Sequence, residues 1–415
     1  MKKLTLFFFL ISYSVAFSQL PPVVTFWQQN PNNITGYNGI LADVQQVFYS
    51  DNFVYVKCTG IPSYTIGPWA MNPNIPVNQN WTFKITRFPT ANPNPTVAGN
   101  GQLGVLKNGV VIFNAGDAMS YNNQNIWYRV AYYFEGPGFD SSGGHPAPGG
   151  SYHYHINMKK LYTANPNIHS PLLGYMFDGF PVYGAYGYSN TNGTGGIRRI
   201  KSGYRKRNIT ARTTLPDGTV LQPAQYGPAI NAQYPLGCFI QDYELIPGGS
   251  DLDRHNGRFA VTPEYPLGTY AYYMTLDSLG IPEYPYIIGP TYYGNVVAGN
   301  SGPGGGHVVI SEPVTQFLAT NIETNTTPVN FNLHQNYPNP FNPETTIKFE
   351  INSSSIIKLI VYDISGKMIS TLIDQNLNPG EYTAKFSGNN LSSGVYFYKL
   401  IAGDQEITKR MLLVK

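Results

Sequence analysis

Short runs of alternating apolar and polar residues dominate the chain, and long apolar faces at helical spacing are scarce. Side chains on a strand face opposite sides in turn, so a repeat of two residues predicts β-structure. Many of these runs are rich in aromatic and β-branched residues and are bounded by proline or glycine. They include NFVYVKC, GVVIFNA, WYRVAYYF, SYHYHINM and GTYAYYMTL. The chain is therefore predicted to be mainly β.

The pattern also divides the chain into two folded units. Residues 314–330 are polar and rich in threonine, which is typical of a linker. After them, alternation is clearest in TTIKFEI, IIKLIVYDISGKMISTLI and GVYFYKLIAG. Short strands separated by turns predict a small Ig-like β-sandwich over residues 331–415. Residues 19–313 are predicted to form one large β-rich domain.

The amino terminus has the pattern of a secretory signal peptide. The stretch MKKLTLFFFLISYSVAFSQ places two lysines before an apolar run and a small-residue cleavage site. We place the cleavage after Ser18, so residues 1–18 would be removed. No later apolar run reaches the ~18 residues of a membrane helix, and no transmembrane segment is expected in the mature chain.

Composition narrows the function classes. Charged residues make up 12% of the chain, about half the usual share. The formal net charge of +3 is too small for this length to suggest a nucleic-acid partner. The two cysteines, Cys58 and Cys238, could form a disulfide in an oxidising compartment, or they could be two buried thiols.

Three of the seven histidines lie in the stretch GGHPAPGGSYHYHINM. On a strand, His153 and His155 would share one face while the two tyrosines between and before them face the other. The turn-prone loop PAPGG could return His145 to the same face. Three imidazoles with an open position suit zinc or copper. Stacked histidines without a ligand, or an acid/base role, are the alternatives.

Two further residues are candidate partners of this cluster. Asp178 in FDGFPVYG could orient a histidine or act as a fourth ligand, or it could be an Asp-Gly turn residue. His255 in DLDRHNG could be an additional ligand or a surface histidine. The glycine-rich GPGGGH lacks the pattern of a dinucleotide loop, so no nucleotide cofactor is expected.

A basic cluster and abundant tyrosines suggest a different function. The basic residues that could bind an anion are Arg198, Arg199, Lys201, Arg205, Lys206 and Arg207. A solvated basic hairpin is the alternative interpretation. Tyrosines in YGAYGY, YAYYM and PTYYG could stack on sugars, or they could form the core.

The carboxyl-terminal stretches NYPNPFNPETTIKFEI, VYDISGKMI, LSSGVYFYKL and KRMLLVK resemble the type A sorting domain of type IX secretion substrates in Bacteroidetes-like bacteria. The resemblance covers residues 331–415. It implies Sec export, recognition by the type IX machinery, and attachment to the cell surface or release.

The stretch HPAPGGSYHYH, followed in order by LLGYMFDGFPVYG, KSGYRKRN and DLDRHNGRFAVTPEYPLGTYAYYMT, resembles the YHYH-domain proteins. The resemblance covers a core of about residues 100–295. It implies a secreted or periplasmic domain for which metal binding is the usual conjecture, and it implies no particular reaction.

Together these observations predict a secreted or cell-surface protein that binds copper or zinc through His145, His153 and His155. Whether it is an enzyme stays open; an enzyme with such a centre would be a metal-dependent hydrolase or oxidoreductase. The alternative is a noncatalytic surface module that binds cell-surface polysaccharide or another anionic polymer.

Overall fold

Strands account for most of the regular structure in the computed structural model, with 37% strand and 6% helix. The predicted mainly β fold is confirmed. The structure describes residues 20–246, 248–302, 304–318, 331–351, 355–377, 380–403 and 405–415. The predicted signal peptide, residues 1–18, lies outside this range. The chain divides into two compact units, Met1–Leu318 and Ala319–Lys415.

The first unit contains eighteen described strands and two short helices, α1 (Pro22–Thr25) and α2 (Ala131–Phe134). The strands are β1 (Val44–Tyr49), β2 (Phe53–Cys58), β3 (Trp81–Thr86), β4 (Gly104–Leu106), β5 (Val111–Ile112), β6 (Gly116–Ser120), β7 (Tyr128–Val130), β8 (Gly144–Pro146), β9 (Tyr152–Tyr154), β10 (Leu172–Met176), β11 (Pro181–Tyr183), β12 (Tyr186–Tyr188), β13 (Ile197–Arg199), β14 (Tyr204–Lys206), β15 (Tyr243–Leu245), β16 (Gly257–Ala260), β17 (Thr269–Tyr273) and β18 (Thr315–Phe317). Single 3₁₀ turns are Tyr37–Gly39, Tyr121–Asn123, Gly136–Gly138, Pro223–Gln225 and Ile240–Asp242.

An eight-stranded mixed sheet forms the centre of this unit, in the order β16-β17-β11-β10-β4-β5-β9-β8. Most of its strands are buried on both faces, although Phe259 on β16 is exposed. On β10, for example, Leu173 and Met176 belong to one apolar cluster, whereas Leu172 and Tyr175 belong to another. Neighbouring side chains point to opposite faces, and an irregular register between Leu172 and Gly174 shifts this alternation, so one strand supplies both clusters. A four-stranded sheet, β18-β1-β2-β3, contributes to the second cluster.

The first unit extends past the predicted domain end at residue 313. Strand β18 pairs antiparallel with β1, with Val47 opposite Phe317. Its backbone therefore belongs to a sheet, although the sequence analysis placed these residues in the linker. Residues 319–330 of the predicted linker lie outside the described residues.

The second unit consists of two described sheets, in the orders β19-β20-β23 and β22-β21-β24-β25. The strands are β19 (Asn332–Leu333), β20 (Glu344–Ile351), β21 (Ser355–Asp363), β22 (Met368–Leu377), β23 (Gly380–Ser387), β24 (Gly394–Ala402) and β25 (Gln405–Leu413). Ile347 and Phe349 of the first sheet share a core with Leu359 and Tyr398 of the second. This is the predicted small sandwich.

The two cysteines are free thiols, so the disulfide considered from the sequence is not formed. Cys58 lies on β2 in the core, where its thiol donates to the carbonyl of Gly109 at 3.3 Å. Cys238 lies in a separate cluster around Trp127 and Phe239. The fold places the two sulfur atoms in different apolar clusters, and each thiol behaves as a small apolar side chain.

Next to Cys238, the ion pair of Arg212 and Asp242 is completely buried. Its two hydrogen bonds run in parallel, from Arg212 Nε to Oδ1 at 2.7 Å and from Nη2 to Oδ2 at 2.8 Å. Removing one partner would leave an uncompensated charge in the buried interior.

We expect Asp242→Asn to lower the free energy of unfolding of the first unit by about 3–5 kcal/mol. The matched control is Arg198→Gln, which breaks the more exposed pair with Asp251 and should cost about 0–1 kcal/mol. Urea unfolding followed by tryptophan fluorescence measures this, because all 4 tryptophans precede residue 318. Equal losses in the two variants would contradict the prediction.

Candidate metal centre

Strands β8 and β9 bring the three histidines of the predicted cluster together. They pair antiparallel, with His145 directly opposite His153. The connecting turn uses Gly149 and Gly150 at φ of 84° and 77°, a conformation that glycine adopts without strain. One ligand nitrogen from each of His145, His153 and His155 lies within 4.8 Å of the others, and all three residues are buried.

The tyrosines of the YHYH motif face the opposite side of β9. Tyr152 donates to Asp140 Oδ2 at 2.9 Å and lies 2.6 Å from the hydroxyl of Ser142. Tyr154 donates to the same hydroxyl at 3.2 Å, and its own oxygen lies 2.6 Å from the hydroxyl of Tyr64. This buried network fixes β9 on the face opposite the histidines. Sequence reasoning did not identify Asp140 as its acceptor.

Backbone carbonyls orient two of the imidazoles. His153 Nδ1 lies 3.0 Å from the carbonyl oxygen of Ser151, and His155 Nδ1 lies 2.6 Å from that of Asn114. A carbonyl oxygen only accepts, so each Nδ1 carries the proton and donates. If the rings are neutral, each Nε2 then has a free lone pair, and the two Nε2 atoms are 3.0 Å apart. The ring of Phe113 stacks on His153 at 3.9 Å.

A carboxyl group that the sequence analysis missed completes the cluster. Glu135 Oε2 lies 3.2 Å from His155 Nε2 and 3.5 Å from His145 Nε2. Among the described residues this oxygen has no hydrogen-bond partner, and neither has His145 Nε2. Glu135 lies between helix α2 and the turn Gly136–Gly138. No local pattern distinguishes it from the other acids of the chain.

Burial keeps His145 and His153 neutral. Loss of solvation, followed by the charge of His155, lowers the pKa of His145 to about 4. The same two effects hold the pKa of His153 well below its usual value. Loss of solvation also raises the pKa of Asp117, at the same cleft, to about 6. Neutral imidazoles are the form that binds a metal ion.

The cluster forms one wall of a cleft of about 570 Å³. Asn72, Asn74 and Asp117 supply polar groups to its lining, and Phe113 supplies an apolar surface. A ligand could reach the free nitrogen lone pairs from this cleft.

Comparisons with known protein families assign both parts of the chain. Residues 82–285 match the family described as YHYH protein, and residues 335–415 match the secretion system C-terminal sorting domain. The chain contains a YHYH domain and a type IX sorting domain. Both resemblances stated from the sequence are confirmed.

The sorting domain supports export by type IX secretion, to the cell surface or to the exterior. Within the described part of the chain, no helix has both the length and the apolar character needed to span a bilayer.

A comparison with curated proteins finds no match. Among solved structures, the chain is similar to PorZ of Porphyromonas gingivalis, described as an essential bacterial surface component of the type-IX secretion system. The alignment has 10% identity and a TM-score of 0.17, and it covers 93% of this chain and 47% of that one. The chain thus spans about half the length of PorZ, and so low a score carries no structural argument.

Asp178 is not part of the histidine cluster of the YHYH domain, which corrects its assignment as a ligand. It begins the turn between β10 and β11. Its carboxyl group accepts hydrogen bonds from the Tyr272 hydroxyl at 2.5 Å and from the backbone N–H groups of Gly294 and Phe180 at 2.9 and 3.2 Å. Burial raises its pKa to about 6. Its contacts are those of the turn residue considered as the alternative.

His255 is also outside the cluster, and it is buried rather than at the surface. Its Nδ1 lies 3.0 Å from the carbonyl oxygen of Thr291 and 2.8 Å from the hydroxyl of the same residue. These contacts give it a structural role.

The candidate anion-binding residues do not form one free basic surface. Arg198 pairs with Asp251, and both Arg199 and Arg205 face Glu283. Asp251 and Glu283 therefore offset part of the positive charge of the six candidate residues.

Arg207 is buried and donates to the carbonyls of Thr214 and Gln241. Lys201 and Lys206 are exposed. The tyrosines proposed as a stacking surface are largely buried as well. The buried ones are Tyr183, Tyr270, Tyr272, Tyr273 and Tyr292.

In the metal-free protein, protonation of His145 should destabilise the fold as the pH falls. Its folded-state pKa is about 4, below the 6.5 of an unfolded histidine. Between these values the unfolded chain binds more protons, so the free energy of unfolding decreases as the pH falls. We expect the wild type to lose more stability than His145→Gln across this interval.

Urea unfolding with chelator present, between about pH 7 and about pH 4.5, measures this difference. His307→Gln replaces an exposed histidine and should follow the wild type. Identical pH profiles for all three proteins would contradict the prediction.

Proposed function

We propose that this chain is an exported protein whose YHYH domain binds one transition-metal ion, copper or zinc, at the cluster of His145, His153 and His155. The observation that carries the proposal is the pair of Nε2 atoms of His153 and His155, which are buried and 3.0 Å apart while both Nδ1 atoms lie against backbone carbonyls. In neutral rings with this arrangement, both Nε2 atoms carry lone pairs. Two lone pairs in this arrangement repel each other unless a cation lies between them.

The spacing of these atoms supports a metal ion in this role. Metal–nitrogen bonds of about 2.0–2.1 Å at angles between square and tetrahedral place two nitrogens roughly 2.9–3.4 Å apart. The 3.0 Å separation is within this range. Metal-binding histidines also donate their other ring N–H to a fixed acceptor, as His153 and His155 do.

The unpartnered atoms nearby support the same function. Glu135 Oε2 and His145 Nε2 are buried without a hydrogen-bond partner among the described residues. Buried polar atoms are nearly always satisfied, and exceptions often mark a site for an ion. Asp117 at the cleft adds negative charge that favours a cation.

Metal analysis of the purified full chain tests the proposal. We expect about one copper or zinc ion per chain in the wild type and none in His153→Ala, His155→Ala. Chelator should lower the melting temperature of the wild type only, because an ion that binds the folded state stabilises it.

The matched control is His307→Ala, His334→Ala, which removes two histidines outside the cluster. It should retain the metal. If the wild type stays metal-free after loading with Cu(II) and Zn(II), the proposal fails, and a proton shared between the two Nε2 atoms would account for the geometry.

Export is proposed to use the Sec route through residues 1–18, followed by type IX secretion through the sorting domain. Deleting residues 331–415 should retain the protein inside the cell envelope, and deleting residues 2–18 should retain it in the cytoplasm. Immunoblots of fractionated cells of a type IX-competent host measure this. Lys358→Gln, an exposed substitution on β21, is the control and should be exported. Surface display of the truncated chain would contradict the proposal.

A further inference from the structure

We infer that His153, His155 and Glu135 are the metal ligands, and that His145 stays outside the coordination sphere as a hydrogen-bond donor beside it. This inference rests on the proposed metal site and assigns the role of each residue in it. It departs from the expectation that all three histidines are equivalent ligands.

The inference begins at Asn72, which contacts His145. Asn72 Nδ2 lies 2.9 Å from the carbonyl oxygen of Pro146, and Asn72 Oδ1 accepts from the backbone N–H of Asn74 at 3.0 Å. Reversing the amide would place oxygen against oxygen and N–H against N–H. The orientation of the amide is therefore fixed, because the carbonyl of Pro146 can only accept and the backbone N–H of Asn74 can only donate.

The fixed amide decides the tautomer of His145. Asn72 Nδ2 is 3.1 Å from His145 Nδ1 and can only donate. Nδ1 must accept, so the proton of the neutral ring is on Nε2. This is the reverse of His153 and His155, whose Nδ1 atoms donate to carbonyls. His145 Nε2 has no lone pair to offer a metal ion in this arrangement.

The Nε2–H of His145 faces the carboxyl group of Glu135, with Nε2 3.5 Å from Oε2. A small movement would form a charge-assisted hydrogen bond. Asn72, His145 and Glu135 would then form a chain in which each group orients the next. His145 is a positioning residue for Glu135 and a donor to any oxygen ligand bound beside it.

The remaining donors fit one metal ion. His153 Nε2 and His155 Nε2 are 3.0 Å apart, and Glu135 Oε2 is 3.2 Å from His155 Nε2. Both separations agree with ligands that share a metal at roughly 2.0–2.2 Å. Two histidines and one carboxylate form a set that leaves open positions on the metal, as in catalytic rather than structural sites.

The open positions would face the cleft, which is lined by all four residues of the cluster. A small oxygen-donor ligand, such as water or an oxyanion, could bind the metal there and accept a hydrogen bond from His145 Nε2. Azide is a suitable probe of such a position because its binding to Cu(II) or Co(II) gives a new absorption band.

Pulsed electron paramagnetic resonance of the Cu(II)-loaded full chain tests the assignment by counting coordinated imidazoles. We expect two in the wild type and an unchanged count in His145→Gln, whose amide can still donate. In parallel, Zn(II) affinity should fall more than about 100-fold in Glu135→Gln and about 10-fold in His145→Gln. The smaller loss is expected because replacing a residue that only hydrogen-bonds to a ligand lowers metal affinity about 10–100-fold.

Asp117→Asn is the matched control for Glu135→Gln, because it neutralises an acid of the same cleft and should change the affinity less. Azide should give its band with the wild type. Three coordinated imidazoles that become two in His145→Gln, or equal effects of Glu135→Gln and Asp117→Asn, would overturn the assignment. A wild type that binds no metal would instead overturn the proposed function, so the two failures are distinguishable.

Discussion

Strand β9 is buried on both faces although every one of its residues carries a polar group. Burying a hydroxyl or an imidazole without a partner costs several hydrogen bonds with water. The surrounding structure must therefore supply donors and acceptors on each side of this strand. Much of the architecture of the YHYH domain follows from that requirement, because β5, β8 and their loops place backbone carbonyls, hydroxyls and carboxyl groups against β9.

The two faces meet the requirement differently. On the tyrosine face, Asp140 and Ser142 give the hydroxyls of Tyr152 and Tyr154 their partners. On the histidine face, the carbonyls of neighbouring residues satisfy only the Nδ1 atoms, and the Nε2 lone pairs remain. The tyrosine face thus holds the strand in place, whereas the histidine face presents its Nε2 atoms to a cleft. The two tyrosines of the motif therefore have a structural role, and its two histidines are the residues that could bind an ion.

Several charged residues of the described first unit have a structural role. Arg212 and Asp242 neutralise each other in the core, and Arg198 binds Asp251 near the surface. Asp178, a candidate ligand by sequence, has its carboxyl group fully engaged by turn and hydroxyl donors. Glu135 differs, because one of its buried oxygens forms no hydrogen bond among the described residues. These acids therefore differ in whether donors within the fold already contact all of their carboxyl oxygens.

The sequence alone determined the mainly β fold, the two-unit organisation and both family assignments, and it predicted that the three histidines could meet. These features depend on local properties: a two-residue repeat, a glycine turn, and motif strings read along the chain. It could not find Glu135, reject Asp178 or exclude the disulfide, because those outcomes depend on which distant segments meet. The tautomer of His145 depends on Asn72, 73 residues away in the chain. Only the tertiary structure decides such contacts. Whether a group donates or accepts depends on its neighbours in space, and these neighbours produce no recognisable pattern in the sequence.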